Sequence, residues 1–206
     1  MSFVVLLPVK PPARGKSRLD LAPGARTALA TAFALDTAAA CLATPSVTAV
    51  LVVTDDALFA RAVGGLGCSA IPDGVTDDLN GSLRLAAAEA VRRWPGARPV
   101  ALCGDLPALR PADLEAALAA ANGSPAAFVT DAAGTGTTLY SAATDFSPCY
   151  GPDSAALHAD AGATPVPGEL VSLRHDVDTL ADLRDVVPLG LGPRTTLAAG
   201  QLGLLA

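Results

Sequence analysis

Short apolar runs alternate with alanine-rich stretches along most of this chain, and that alternation constrains its fold more than any other feature. Residues 3–9 form a short continuous apolar run, and 47–53 form a second. Runs of this length read as strands covered on both faces. Residues 25–43, rich in alanine, read as a helix punctuated by Pro23-Gly24 before it and Pro45 after it. Residues 56–63 predict a short helix, 68–71 a brief strand, 81–94 a second long helix and 99–103 another strand. Pro111 then opens a helix running to Ala121, since proline is tolerated in the first turn. Residues 126–130 and 137–140 read as two strands around a glycine-rich turn, and 153–159 as a short helix. Residues 170–173 read as a last strand, followed by a helix reaching Val186. The remainder, with Gly190, Gly192, Pro193 and Gly200, reads as a weakly structured tail. Strand–helix alternation predicts an α/β fold, a mostly parallel central sheet with helices on both faces. No linker divides the chain, so residues 1–206 are expected to form a single domain.

Charge and hydropathy exclude several classes. The net charge is −6 with a pI near 4.7, and no long basic run exists, so a nucleic-acid surface is not expected. Mean hydropathy is +0.43, but alanine, 44 of the 206 residues, accounts for much of it. No uninterrupted apolar run approaches the ~20 residues that span a bilayer. The first apolar run lacks a basic leader and reads as a strand, not a signal peptide. Cys41, Cys68, Cys103 and Cys149 are widely spaced without a CxxC pair, as in reduced thiols of a cytoplasmic protein.

Ligands of open α/β sheets bind outside the carboxyl ends of the strands, and there the chemistry is unusual. Lys10, Arg14, Lys16 and Arg18 place four cations within nine residues after the first strand, with no acid between them. Both lysines of the chain lie in this stretch. A movable ammonium and planar guanidinium forks suit a polyphosphate. It is not a Walker loop, which would need glycine where Lys10 stands. Asp105 ends an otherwise apolar strand, where a carboxylate is costly unless paired, exposed or bound to a metal. Asp176 and Asp178 follow another predicted strand. Strand-end acids converging on one Mg²⁺ would suit that ion, although either aspartate of the second pair could instead cap the helix that follows. Gly134-Thr-Gly-Thr-Thr138 is either a hairpin turn or an anion cradle of glycine-freed amides and hydroxyls. Ser154 could cap its helix or donate to an anion there. His158 and His175 are too few for a histidine metal site, and no nucleophilic triad stands out. The residues alone therefore predict an Mg²⁺-dependent enzyme handling nucleotide phosphates.

Five segments together, Leu7-Pro-Val-Lys-Pro-Pro-Ala-Arg-Gly-Lys-Ser-Arg-Leu19, Gly104-Asp-Leu-Pro-Ala-Leu109, Gly134-Thr-Gly-Thr-Thr-Leu-Tyr140, Tyr150-Gly-Pro-Asp-Ser154 and His175-Asp-Val-Asp-Thr179, resemble the guanylyltransferases of coenzyme F420 biosynthesis. Their order and spacing cover nearly the whole chain. The resemblance implies a Rossmann-like nucleotidyltransferase fold and transfer of GMP from GTP to a small phosphorylated three-carbon acid. Phosphoenolpyruvate and 2-phospho-L-lactate are the two acceptors it offers; the alanine- and arginine-rich composition resembles that of actinobacterial proteins, in which the family's phosphoenolpyruvate type is expected. It further implies that Thr137, Gly151 and Ser154, with Thr138 beside them, hold phosphoenolpyruvate. Asp105, Asp176 and Asp178 would bind Mg²⁺. Lys10, Arg14 and Lys16 would act on the phosphates as catalytic cations, and Arg18 and Asn80 would contact the nucleotide. Asn80 could alternatively cap the helix of residues 81–94. A rival of another class is a GTP-binding module without catalysis. Sequence leaves the oligomeric state open.

Overall fold

The strand β1 (Phe3–Pro8) is buried from Phe3 to Leu7, which places it in the middle of the molecule. The computed structural model describes residues 1–10, 18–75 and 77–205. β1 pairs in parallel with β2 (Val47–Val53) on one side and β4 (Arg98–Leu102) on the other. β3 (Ser69–Ile71) extends the sheet beyond β2, again in parallel. β6 (Thr137–Ala142) runs antiparallel to both β4 and β5 (Ala126–Thr130). A two-residue strand, β7 (Thr164–Pro165), closes the far edge beside β5. Among the described residues the result is a seven-stranded, mostly parallel sheet in the order β3-β2-β1-β4-β6-β5-β7. The expected α/β architecture is therefore present, with β7 as an edge too short to show a hydrophobic period.

Alternation along the central strands divides the core between two faces. Val5 and Leu7 pack with Val52, Val100 and Leu102 on one face, under α1 (Pro23–Leu42), α2 (Ala57–Gly64) and α4 (Pro111–Ala121). Val4, Leu6, Leu51 and Ala101 pack on the other, under Leu83, Ala86 and Ala90 of α3 (Leu79–Arg93). Alanine-rich helices lie close on such a sheet because they carry little side chain. Each buried leucine contributes about 1.5–3 kcal/mol. Cys41 and Cys68 belong to the first face, and burial pushes the Cys68 thiol up to about 11 and that of Cys41 further still. Both act as packing residues.

Two expectations fail beyond Gly168. Residues 170–173 are not a strand: Leu170 sits at φ 44°, and α6 (Val171–Arg174) is a single helical turn. Side-chain bonds hold that turn. The Ser172 hydroxyl and amide both donate to Asp113 Oδ2 at 2.6 and 2.9 Å, and Arg174 donates to the carbonyls of Val166, Gly168, Glu169 and Thr130. Nor is the tail weakly structured. After α7 (Leu180–Val186) and a 3₁₀ turn at Val187–Leu189, residues Pro193–Gln201 form α8, which packs on α1. The reason is Asp36, a buried carboxylate on α1 that accepts from the Thr195 amide at 2.7 Å and the Arg194 amide at 3.3 Å. It thereby caps a helix 158 residues away in sequence. Gly192 is required beside it, because a Cβ there would lie 2.4 Å from the Asp36 carboxyl carbon. Asp36→Ala is expected to lower stability by about 2 kcal/mol, since the cap and a charge at a helix N-terminus are lost together. A urea titration checks it, by a fall in midpoint at unchanged slope.

Candidate active site

β4 delivers Asp105 to the sheet's carboxyl edge through Gly104, which approaches β1 closely. A Cβ on Gly104 would lie 3.3 Å from the Pro8 carbonyl oxygen and 3.1 Å from a Val9 methyl. The next residues are fixed from three sides. Leu106 N–H donates to Thr37 Oγ1 of α1 at 3.1 Å, Gly192 N–H donates to the Pro107 carbonyl at 2.8 Å, and Val177 N–H donates to the Asp105 carbonyl at 3.0 Å. That last bond holds the 176–178 segment against the β4 end. Asp105, Asp176 and Asp178, all half-buried, thus present carboxylate oxygens within 4.8 Å of one another. Neither Asp176 nor Asp178 caps α7. Thr179 is the cap, in a reciprocal box in which Asp182 Oδ2 accepts from the Thr179 amide at 2.7 Å and the Asp178 amide at 3.0 Å. Three carboxylates so close repel one another unless a cation is near. Arg18, itself exposed, supplies one charge, with Nη1 3.6 Å from Asp178 Oδ2. A hard, all-oxygen donor set of this kind fits a divalent cation such as Mg²⁺ or Mn²⁺.

The start of β6 lies beside the same edge, since Cys103 N–H donates to the Thr138 carbonyl at 2.9 Å. Thr138 is the extra residue of a β-bulge: Val129 faces Leu139, but the next residue, Thr130, faces Thr137. The bulge breaks strict alternation. Thr137 and Tyr140 consequently both meet His158, which strands of period two do not allow for residues three apart. Thr137 Oγ1 lies 3.0 Å from His158 Nδ1, and the Tyr140 ring stacks on the imidazole with centroids 4.6 Å apart. His158 belongs to α5 (Ser154–Asp160) and is fully buried, as is Ser154 one turn earlier. Burial holds its imidazole down at about 4, so it is neutral at pH 7.

The turn before β6 is a hairpin in which the Gly134 and Thr135 amides are already engaged. Thr135 N–H donates to the Asp131 carboxylate at 3.0 Å, and Gly134 N–H to the Asp131 carbonyl at 3.2 Å. The segment before α5 is anchored as firmly. Asn80 donates to the Tyr150 carbonyl at 2.9 Å and accepts from the Tyr150 amide at 2.8 Å, while the Tyr150 hydroxyl donates to the Ala101 carbonyl at 3.1 Å. Asn80 is therefore not the cap of α3; Asp78 is, accepting from Gly81 N–H at 2.8 Å. Ser154 is likewise the first residue of α5, with Asp153 at the cap position. Gly151 follows Tyr150 at φ 144°, a conformation side chains disfavour.

Two clusters of candidate residues are thus assembled: Asp105, Asp176 and Asp178 with Arg18, and Thr137 with the α5 segment. Lys10 is exposed at the end of β1, next to Val9, whose amide donates to the Val53 carbonyl. Arg14 and Lys16 lie outside the described residues. Sequence reasoning missed His158, dismissed for want of partner histidines. The i, i+4 spacing from Ser154 could have revealed it, because it puts both side chains on one helix face.

No protein-family model matches the chain. It is 48% identical to the phosphoenolpyruvate guanylyltransferase of Streptomyces scabiei, over 98% of each chain. The enzyme of that description from Thermomonospora curvata is also 48% identical, over 98% of this chain and 90% of that one. A solved structure from Desulfovibrio desulfuricans superposes with a TM-score of 0.71 at 18% identity, covering 100% of this chain and 97% of that one, and a 4-diphosphocytidyl-2C-methyl-D-erythritol synthase with 0.58 at 14%, covering 91% and 97%. A Mycobacterium tuberculosis protein solved in complex with manganese gives 0.53 at 20%, covering 91% and 99%. At these identities the structural likeness concerns the fold alone, a nucleotidyltransferase-like α/β sheet.

Proposed function

The chain belongs to the phosphoenolpyruvate guanylyltransferase family, and on that premise we propose that it transfers GMP from GTP to phosphoenolpyruvate in coenzyme F420 biosynthesis. The products are enolpyruvoyl-2-diphospho-5'-guanosine and pyrophosphate. The observation that carries the reading is the convergence of Asp105 with Asp176 and Asp178, brought from separate segments to within 4.8 Å at the carboxyl edge of a nucleotidyltransferase-like sheet. We assign these three to Mg²⁺, which when bound would neutralise phosphate oxygens. Residues 1–206 act on this reading as one nucleotidyltransferase domain in the cytoplasm. Among the described residues no helix is long and apolar enough to cross a membrane.

In the proposed reaction a phosphate oxygen of phosphoenolpyruvate attacks the α-phosphorus of GTP. A new P–O–P bond forms as the bond from the α-phosphorus to the β-phosphate oxygen breaks, and pyrophosphate leaves with that electron pair. The attacking group is already anionic, so a general base contributes little. The difficulty is bringing two polyanions together, which is a matter of positioning and charge. Lys10, Arg14 and Lys16 are assigned to the phosphates and Arg18 to the nucleotide. Asn80 is assigned to the nucleotide as well, and it anchors the Tyr150 segment. Thr137, Gly151 and Ser154, with Thr138 beside them, are assigned to phosphoenolpyruvate. Thr138 shapes this end of the site through the bulge.

The test is pyrophosphate release by purified protein with Mg²⁺, each nucleoside triphosphate in turn, and either phosphoenolpyruvate or 2-phospho-L-lactate. Release is expected with GTP and phosphoenolpyruvate. Release with 2-phospho-L-lactate alone would assign the other acceptor, and GTP binding without release in any combination would make the chain a binding module.

A further inference from the structure

We propose that His158 is a positioning residue for the acidic substrate: it engages the Thr137 oxygen as an acceptor, so that the Thr137 hydroxyl proton is left to donate to the substrate's anionic group. The inference rests on the assignment of Thr137 to that substrate. It adds the reason a threonine hydroxyl at this place acts as a donor.

Hydrogen-bond bookkeeping around the ring gives the direction. The Cys149 backbone amide lies 2.9 Å from His158 Nε2. A backbone N–H can only donate, so Nε2 must carry its lone pair there. A neutral imidazole has one N–H, which then resides on Nδ1. Nδ1 lies 3.0 Å from Thr137 Oγ1, so it donates and the hydroxyl oxygen accepts, with the Ser154 carbonyl one turn earlier as a second acceptor at the ring. An imidazolium would set two N–H groups against each other across the 2.9 Å to Cys149. A free hydroxyl rotor can turn its proton either way; Thr137 cannot turn it toward Nδ1–H.

The ring is packed by three aromatic neighbours. Tyr140 and Phe128 stack on it with centroids at 4.6 and 5.7 Å, and Tyr150 meets it edge-on at 5.5 Å. The segment carrying Cys149, Tyr150 and Gly151 is tied to Asn80 and to the Ala101 carbonyl. The acceptor for Cys149 N–H and the donor to Thr137 are thus opposite ends of one rigid group. His158 links the Gly151 side of the proposed acid subsite to the Thr137 side, and it sets the polarity of both.

Three variants separate this from a merely packed histidine. His158→Gln can still accept from Cys149 but does not reach Thr137, whereas His158→Asn keeps an N–H near the Nδ1 position. Thr137→Val removes the hydroxyl. His158→Gln is expected to raise KM for phosphoenolpyruvate about tenfold, the scale of one hydrogen bond to a charged group, with KM for GTP and kcat within about twofold. His158→Asn should restore KM toward wild type, and Thr137→Val combined with His158→Gln should be no worse than Thr137→Val alone. If Thr137→Val leaves KM unchanged, the assignment of Thr137 fails and the inference with it. If Thr137→Val raises KM and His158→Gln does not, the inference alone is overturned. Ring nitrogen NMR of the unaltered protein gives an answer that needs no variant to fold. A proton on Nδ1 with a bare Nε2 is expected, and the reverse tautomer would overturn the proposal.

Discussion

Asp105→Asn is expected to lower turnover about a thousandfold, the scale seen when a principal electrostatic contact to a reacting phosphate is removed. The substitution keeps the side chain's size and removes one charge. Three bonds that help fix this place in the fold involve the backbone of 105–107 and its neighbours. The Asp105 carbonyl accepts from Val177, the Leu106 amide donates to Thr37, and the Pro107 carbonyl accepts from Gly192. None of these three bonds uses the carboxylate, so the unfolding free energy from a urea titration should stay within about 1 kcal/mol of wild type. Asparagine offers a neutral oxygen where the cluster of three acids offered an anionic one, so divalent-ion affinity should fall with activity. Steady-state pyrophosphate release and manganese binding followed by electron paramagnetic resonance check both. Full activity in this variant would remove Asp105 from the metal set.

Lys16→Ala is expected to cost about a hundredfold in turnover, against less than about twofold for Arg61→Ala, an exposed cation on α2. Net charge is −6, so the phosphates meet an anionic protein except where Lys10, Arg14, Lys16 and Arg18 concentrate positive charge. Solvated surface charges are individually weak. A lysine that contacts a developing negative charge is not, because its interaction strengthens as the transition state forms. Single-turnover kinetics at saturating substrates isolates that difference, and wild-type turnover in Lys16→Ala would return the loop to an ordinary charged surface.

The central sheet was legible because its signal is local. Four-residue or longer apolar stretches ending in Gly104, or in the charge of Lys10, betray parallel strands whatever packs on them. Residues 170–173 were misread for the opposite reason. Their apolar content suits a strand, but the conformation is decided by Asp113 and by carbonyls gathered around Arg174, all distant in sequence. The tail was misread partly likewise, since Asp36, distant in sequence, caps α8; Pro193 in its first turn is the same signal that marked the helix at Pro111 and was passed over. At the site, the acids and Thr137 could be named from motifs, but not the bulge at Thr138 that turns Thr137 toward α5. Asn80 was named for its position, while its bonds to the Tyr150 backbone are tertiary facts. His158 was invisible as chemistry because its importance lies in two partners, Cys149 and Thr137, that only the fold brings to its two nitrogens.

In the proposed reaction an acceptor phosphate oxygen attacks the α-phosphorus of GTP. Phosphoenolpyruvate carrying heavy oxygen in its phosphate group tests that step, with products resolved by mass spectrometry and phosphorus NMR. All of the label is expected in the organic diphosphate, one labelled oxygen bridging its two phosphorus atoms, and none in pyrophosphate. Heavy oxygen in pyrophosphate, or consumption of GTP that yields no labelled diphosphate, would rule out attack by the acceptor phosphate.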